Sequence, residues 1–129
     1  MRRTILGIVF IISSAFAPAC TCIARGPEDY RADTRNLLET RNSEVKKCYD
    51  AELRKNHNLN GDVVVHFTVE KKSGKIINVA VDEQTSKAPK ELETCIANAV
   101  DGLVLEPPDR REGDATFTWR FRANSRPAA

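Results

Sequence analysis

Six side chains could bond a metal, a lipid or one another selectively: Cys20, Cys22, Cys48, Cys95, His57 and His66. A redox-active thiol needs a low pKa, often in a Cys-x-x-Cys at a helix N-terminus. Cys48 and Cys95 instead sit inside apolar helical patterns, so a structural cross-link is the expected role. Cys20-Thr-Cys22 is a Cys-x-Cys placed where lipid attachment or a spare thiol is expected. His57 falls in a loop and His66 on the outer face of a strand, with no cysteine or carboxylate spaced to join them, so no metal is expected. Asp82-Glu83 and Glu91-Glu93 read as solvated surface pairs. The chain has no glycine-rich phosphate loop, nucleophile elbow or zinc-binding helix motif, and neither a cofactor nor an enzymatic activity is expected.

The first residues read as an export signal. Arg2 and Arg3 are followed by an apolar run over 5–16, broken only by Gly7, Ser13 and Ser14, and then by the small-residue site Ala17-Pro18-Ala19. The run is shorter than the roughly 20 residues of a membrane span. Cys20 follows directly, so Phe16-Ala-Pro-Ala-Cys20 is similar to a bacterial lipobox and makes Cys20 the candidate lipidation residue. Pro18 and Ala17 depart from the usual pattern, and simple cleavage before Cys20 or before Arg25 stays open.

Of the 20 Lys and Arg residues, two lie at positions 2 and 3, leaving 18 against 18 Asp and Glu. A near-neutral mature chain gives no electrostatic reason to bind nucleic acid or an anionic membrane, and any membrane association would come from an N-terminal lipid. Four cysteines in an exported chain fit an oxidising compartment. They allow three pairings. If Cys20 is lipidated or trimmed, Cys48–Cys95 is the internal pair that remains.

These groups need elements to position them. At 129 residues the chain is at most one domain, with a small, mostly aliphatic core. Residues 20–32 read as a polar tether. From Asp33, a plausible cap, Leu38, Val45, Cys48, Tyr49 and Leu53 form a helical stripe, with a break suggested at Ser43-Glu44. Residues 62–70 alternate as strand β1, with Val63, Val65, Phe67 and Val69 on one face. Lys71-Lys-Ser-Gly74 is a hairpin turn, and residues 75–82 form β2, with Ile77, Val79 and Val81 on one face. Pro89 opens a helix striped by Leu92, Cys95, Ile96, Ala99, Val100 and Leu103, and Gly102 stops it. Residues 115–122 form β3, whose Phe117-Trp119-Phe121 row is expected to pack in the core. The tail at 124–129 is expected to be disordered.

The order α-β-β-α-β predicts an α+β fold: a three-stranded antiparallel sheet, β2-β1-β3, with two helices on one face. Cys48 and Cys95 then lie on helices packing against that face, where a disulfide would staple helix to helix.

The run VKKCYDAELRKNHNLNGDVVVHFTVEKKSGKIINVAVDEQT, followed by ELETCIANAV, Pro107-Pro108 and an aromatic strand, resembles the AgmX/PglI C-terminal domain, a TonB/TolA C-terminal-like module of myxobacteria and their relatives. The likeness covers residues from about 35 to 122. His57 stands where that family usually has proline, and Asp101-Gly-Leu-Val-Leu-Glu106 replaces its basic-plus-tryptophan segment. The resemblance assigns residues 33–123 to one TonB-like domain, and the export pattern itself marks residues 1–19 as a signal peptide. It implies a non-enzymatic cell-envelope module that binds a partner protein or peptide by strand addition beside β3, flanked by Thr116, Thr118, Arg120 and Arg122. The same polar residues could instead only guard an exposed edge, leaving an accessory lipoprotein that stabilises a larger complex.

Overall fold

The computed structural model describes residues 20–123; the signal-peptide and tail expectations lie outside them. Three helices and three strands follow in the order α1 (Pro27–Glu39), α2 (Asn42–Leu53), β1 (Gly61–Val69), β2 (Ile76–Val81), α3 (Lys90–Val100) and β3 (Gly113–Phe121). The sheet is antiparallel in the order β2-β1-β3, the expected α+β arrangement.

The helical part differs from expectation in two ways. The suggested break does divide the first helical stretch in two, but it falls at Thr40-Arg41 and not at Ser43-Glu44. The first helix also starts at Pro27, so Asp33 lies within it and does not cap it. Proline suits a first helical turn because its missing N–H would have no intrahelical partner there. The Gly26 carbonyl accepts the Tyr30 N–H at 2.9 Å, and Glu28 and Asp29 favour the positive end of the helix dipole. Residues 27–32 carry no apolar stripe; their helix is secured by tertiary contacts. Nor do residues 20–26 run as a free tether. Ile23 exchanges backbone hydrogen bonds with Pro108 and Arg110, both at 2.9 Å.

The alternation in β1 buries Val63, Val65, Phe67 and Val69 beneath the helices. β1 and β3 pair without interruption from Gly61↔Phe121 to Val69↔Gly113. β1 and β2 pair with a bulge: Asn78 and Val79 stand against the single residue Phe67, and Asn78 takes a φ of 53°. The bulge changes the phase of β2. Ile76 faces the core, fully buried, with Val79 and Val81 beside it, whereas Ile77 does not join the core. The expected Ile77-Val79-Val81 row is therefore corrected.

Buried Leu92, Ile96 and Val100 of α3 lie over β1 and β2, and α2 packs beside α3 through Val45 and Cys48. Leu38 of α1, Leu59, Leu103, Leu105, Trp119 and Phe121 complete the core. Tyr49 stacks on Phe121 at 4.7 Å and donates its hydroxyl to the Leu59 carbonyl at 2.6 Å, tying α2 to the end of β3. In the turn before β2, Gly74 has a φ of 70° and a Cβ there would strike the Leu105 carbonyl, so both the backbone angle and the space require glycine.

Candidate interaction edge

The free edge of β3 follows from backbone parity. The Asp62 carbonyl accepts the Lys87 N–H and the Val64 carbonyl accepts the Asp82 N–H, both at 2.8 Å, while the Val64 N–H donates to Ser86 Oγ at 3.0 Å. These even-numbered residues of β1 thus turn their backbone groups toward β2, and the odd-numbered ones turn toward β3. In an antiparallel pair, directly opposed residues either exchange both hydrogen bonds or none. The odd residues of β3, from Gly113 to Phe121, therefore bond to β1. Asp114, Thr116, Thr118 and Arg120 turn their N–H and carbonyl groups outward. Among the described residues, no loop, turn or side chain bonds to those backbone groups.

The side chains follow the same alternation. Thr116, Thr118 and Arg120 are exposed on the open face of the sheet, and Arg122 is exposed just beyond the strand. Arg122 holds Asp62 at 2.9 Å, whereas Arg120 has no ion pair or hydrogen bond among the described residues. On the helix side, Trp119 and Phe121 are buried and Phe117 is half-buried. A groove of about 650 Å³ separates α1 from the first half of β3. Leu38, Phe67 and Phe117 contribute apolar surface to it, and the Arg35 guanidinium lies 5.9 Å from the centre of the Phe117 ring.

The start of β3 is held by a buried charge cluster that sequence reasoning missed. Asp109 is fully buried and accepts the backbone N–H groups of Arg25 at 2.8 Å and Arg111 at 2.9 Å. Burial pushes the Asp109 carboxyl up, but those two N–H groups and the Arg111 guanidinium outweigh it and hold it below the usual carboxylate range. Arg25 is also buried. Its Nε donates to Asp33 at 2.7 Å, and its Nη1 lies 3.8 Å from Asp109. The Tyr30 hydroxyl donates to the Arg111 carbonyl at 3.3 Å, so α1, residues 22–26 and the entry to β3 form one unit. Arg25 and Asp109 carry no sequence signal of burial, because both stand in polar stretches that resemble surface.

Cys48 and Cys95 stand at disulfide distance, with 5.9 Å between their Cα atoms. Cys48 is buried, while Cys95 is exposed on its helix and not within the buried stripe. The sulfurs of Cys20 and Cys22 lie against each other, 3.6 and 3.8 Å from the Lys72 carbonyl. His57 is exposed in its loop. His66 lies on the open sheet face between Thr116 Oγ1 at 2.6 Å and Asp82 Oδ2 at 3.2 Å. Hydrogen bonds from Thr85 and His66 lower the Asp82 carboxyl to about 2. Two of the four carboxylates expected to be solvated are not fully so: Asp82 is half-buried, and Glu93 is buried with Lys90 Nζ 3.5 Å away. Among the described residues, no group of three His, Cys, Asp or Glu side chains is arranged to hold a metal. No helix among them is long and apolar enough to cross a membrane.

No family model, curated protein or solved structure matches this chain.

Proposed function

We propose that the protein is an exported, non-enzymatic module of the cell envelope that binds a partner protein or peptide by strand addition beside β3. The observation that carries this reading is the row of unpaired, outward-turned backbone groups from Asp114 to Arg120. An added strand would satisfy them in sequence-tolerant fashion, and the alternating side chains beside it would set preference. The likeness to the AgmX/PglI and TonB-like modules, carried by the cysteine, loop and hairpin motifs, supports the same edge. A Cys48–Cys95 disulfide belongs to this reading, as does a periplasmic or membrane-anchored location with Cys20 as the lipidated residue. Lipidation would separate Cys20 from its present neighbour Cys22.

Thr118→Pro tests the edge. Its N–H points away from β1, so proline removes an outward donor without removing a hydrogen bond to β1. Cross-linking in native envelopes should capture a partner with the natural chain and lose it with the variant while the domain stays folded. Undiminished capture refutes strand addition here and favours an accessory lipoprotein whose polar edge is only protective. Mass spectrometry of the mature N-terminus decides lipidation: an unmodified Cys20, or a terminus beyond it, removes that claim.

A further inference from the structure

We infer that the end of the domain from which the N-terminal segment leaves is a membrane-contacting face, seated on the anionic headgroups of the bilayer that holds the N-terminus. The inference rests on the membrane-anchored location proposed above and adds how the domain lies against that membrane.

The strap at residues 20–26 is fastened, so the membrane attachment and the domain cannot turn independently. Ile23 donates to the Pro108 carbonyl and accepts the Arg110 N–H, both at 2.9 Å, and the N–H of the buried Arg25 donates to Asp109 at 2.8 Å. Cys20 Sγ lies 3.6 Å from the Lys72 carbonyl. An extended residue spans at most about 3.6 Å. A lipid on Cys20, or the apolar run at 5–16, therefore brings the surface around Lys72 within reach of the headgroups.

That surface is suited to them. The β1–β2 turn and the segment before β3 lie side by side there. The Lys72 N–H donates to the Asp109 carbonyl at 2.8 Å, the Leu105 N–H donates to the Gly74 carbonyl at 2.7 Å, and Lys75 pairs with Val104 in an antiparallel bridge. Lys71, Lys72, Lys75 and Arg110 are exposed on these segments without an ion pair among the described residues, whereas Arg111 beside them is held by Asp109 at 3.5 Å. The exposed acids of the same segments, Glu106 and Glu112, are fewer, and Glu70 accepts the Ser73 hydroxyl. The chain's balanced total charge hides this cluster.

Ile23 and Val104, at 40% and 42% exposure, are the exposed large apolar side chains among the described residues, and both stand at this end. Apolar side chains among basic ones settle into a headgroup layer, the former by burial and the latter by attraction to anionic lipid. β3 begins at the same end, where Gly113 pairs with Val69, and runs away from it. Its outward edge then extends away from the membrane instead of lying against the lipid.

Acetylation footprinting of the lysines tests the face, on the full protein purified with its natural N-terminus and reconstituted into vesicles. Phosphatidylcholine with phosphatidylglycerol is the anionic probe, and phosphatidylcholine alone is the control. Lys71, Lys72 and Lys75 should lose reactivity on the anionic vesicles, whereas Lys87, bonded to Asp62 at the opposite end of β1, should not. High salt should restore the reactivity. Lys71→Glu with Lys72→Glu should cut the docked-to-free ratio read at Lys75 by roughly tenfold or more, since each basic side chain near an anionic surface contributes about a fivefold factor. Val104→Glu should reduce that ratio as well. All three positions are exposed, so the variants should fold, which circular dichroism checks. Equal reactivity at all lysines, protection no greater than on phosphatidylcholine alone, or protection that survives the reversals overturns the face. A lipid on Cys20 without the footprint leaves the anchor standing and the face refuted. If Cys20 carries no lipid and the protein is released, the same vesicles are added to the released protein: a footprint at Lys71, Lys72 and Lys75 keeps the face and drops the anchor, and none refutes both.

Discussion

Replacing both Cys48 and Cys95 with alanine should remove a large share of the domain's stability. The two residues are 47 apart in sequence and stand at disulfide distance between α2 and α3, the two helices that shield the centre of the core, where a link would hold them together. In the chain-entropy description, a link closing a loop of that length restricts the unfolded chain by about 4 kcal/mol. The folded side adds little to that. Cys95 is exposed and loses few contacts, and the buried Cys48 gives up one sulfur atom. Small domains have roughly 5–15 kcal/mol in total, so the double variant should sit near the edge of folding at elevated temperature. Urea unfolding followed by the fluorescence of Trp119, the single tryptophan, is a direct assay because that ring is buried on the helix side of β3. The midpoint should fall by roughly 2–4 M urea, and the melting temperature by roughly 15–30 °C. Reductant should shift the natural chain by a similar amount and leave the double variant unmoved. A double variant within about 1 kcal/mol of the natural chain would refute the reasoning, because the link would then be absent or would close a loop already ordered in the unfolded state.

Gly74→Ala should destabilise the fold by about 2 kcal/mol or more, measured by the same urea transition, because it forces a side chain into a left-handed angle and against the Leu105 carbonyl. Asp109→Ala should cost about 3 kcal/mol, since it leaves the backbone N–H groups of Arg25 and Arg111 without their acceptor and takes a carboxylate from beside the buried Arg25 guanidinium; calorimetry would read the loss, and an unchanged melting temperature would count against the cluster. Asp82 and Asp109 are both held below their unfolded values, so each contributes stability that is complete above about pH 4 and is lost as pH falls through the folded pKa. For Asp82 that window runs down to about 2, and a carboxyl NMR titration with a midpoint near the ordinary aspartate value would refute the assignment.

Much of the scaffold is legible in the residues. Strict alternation over Val63, Val65, Phe67 and Val69 specifies a strand with one buried face, since a pleated chain turns successive side chains to opposite sides. The spacing of Leu92, Ile96 and Val100 specifies the buried side of α3 for the corresponding helical reason. Gly74 and the interior cysteines are legible because each has few structural uses. These are local or periodic signals, and the sheet order follows from them because few topologies join such elements without crossings.

What tertiary structure decided is where periodicity is silent. Residues 27–32 lack an apolar stripe, and their helix depends on Tyr30 meeting the backbone of Arg111, 81 residues away. The phase of β2 depends on a bulge against Phe67, so Ile76 and not Ile77 enters the core. Arg25 and Asp109 are buried because each neutralises and hydrogen-bonds the other's surroundings, a condition set by a neighbour 84 positions off. The same holds for the edge of β3. Thr116, Thr118 and Arg120 are named by alternation alone, but that their backbone groups turn outward and unpaired is a property of the ladder, because a strand's parity is settled only by the strand it pairs with.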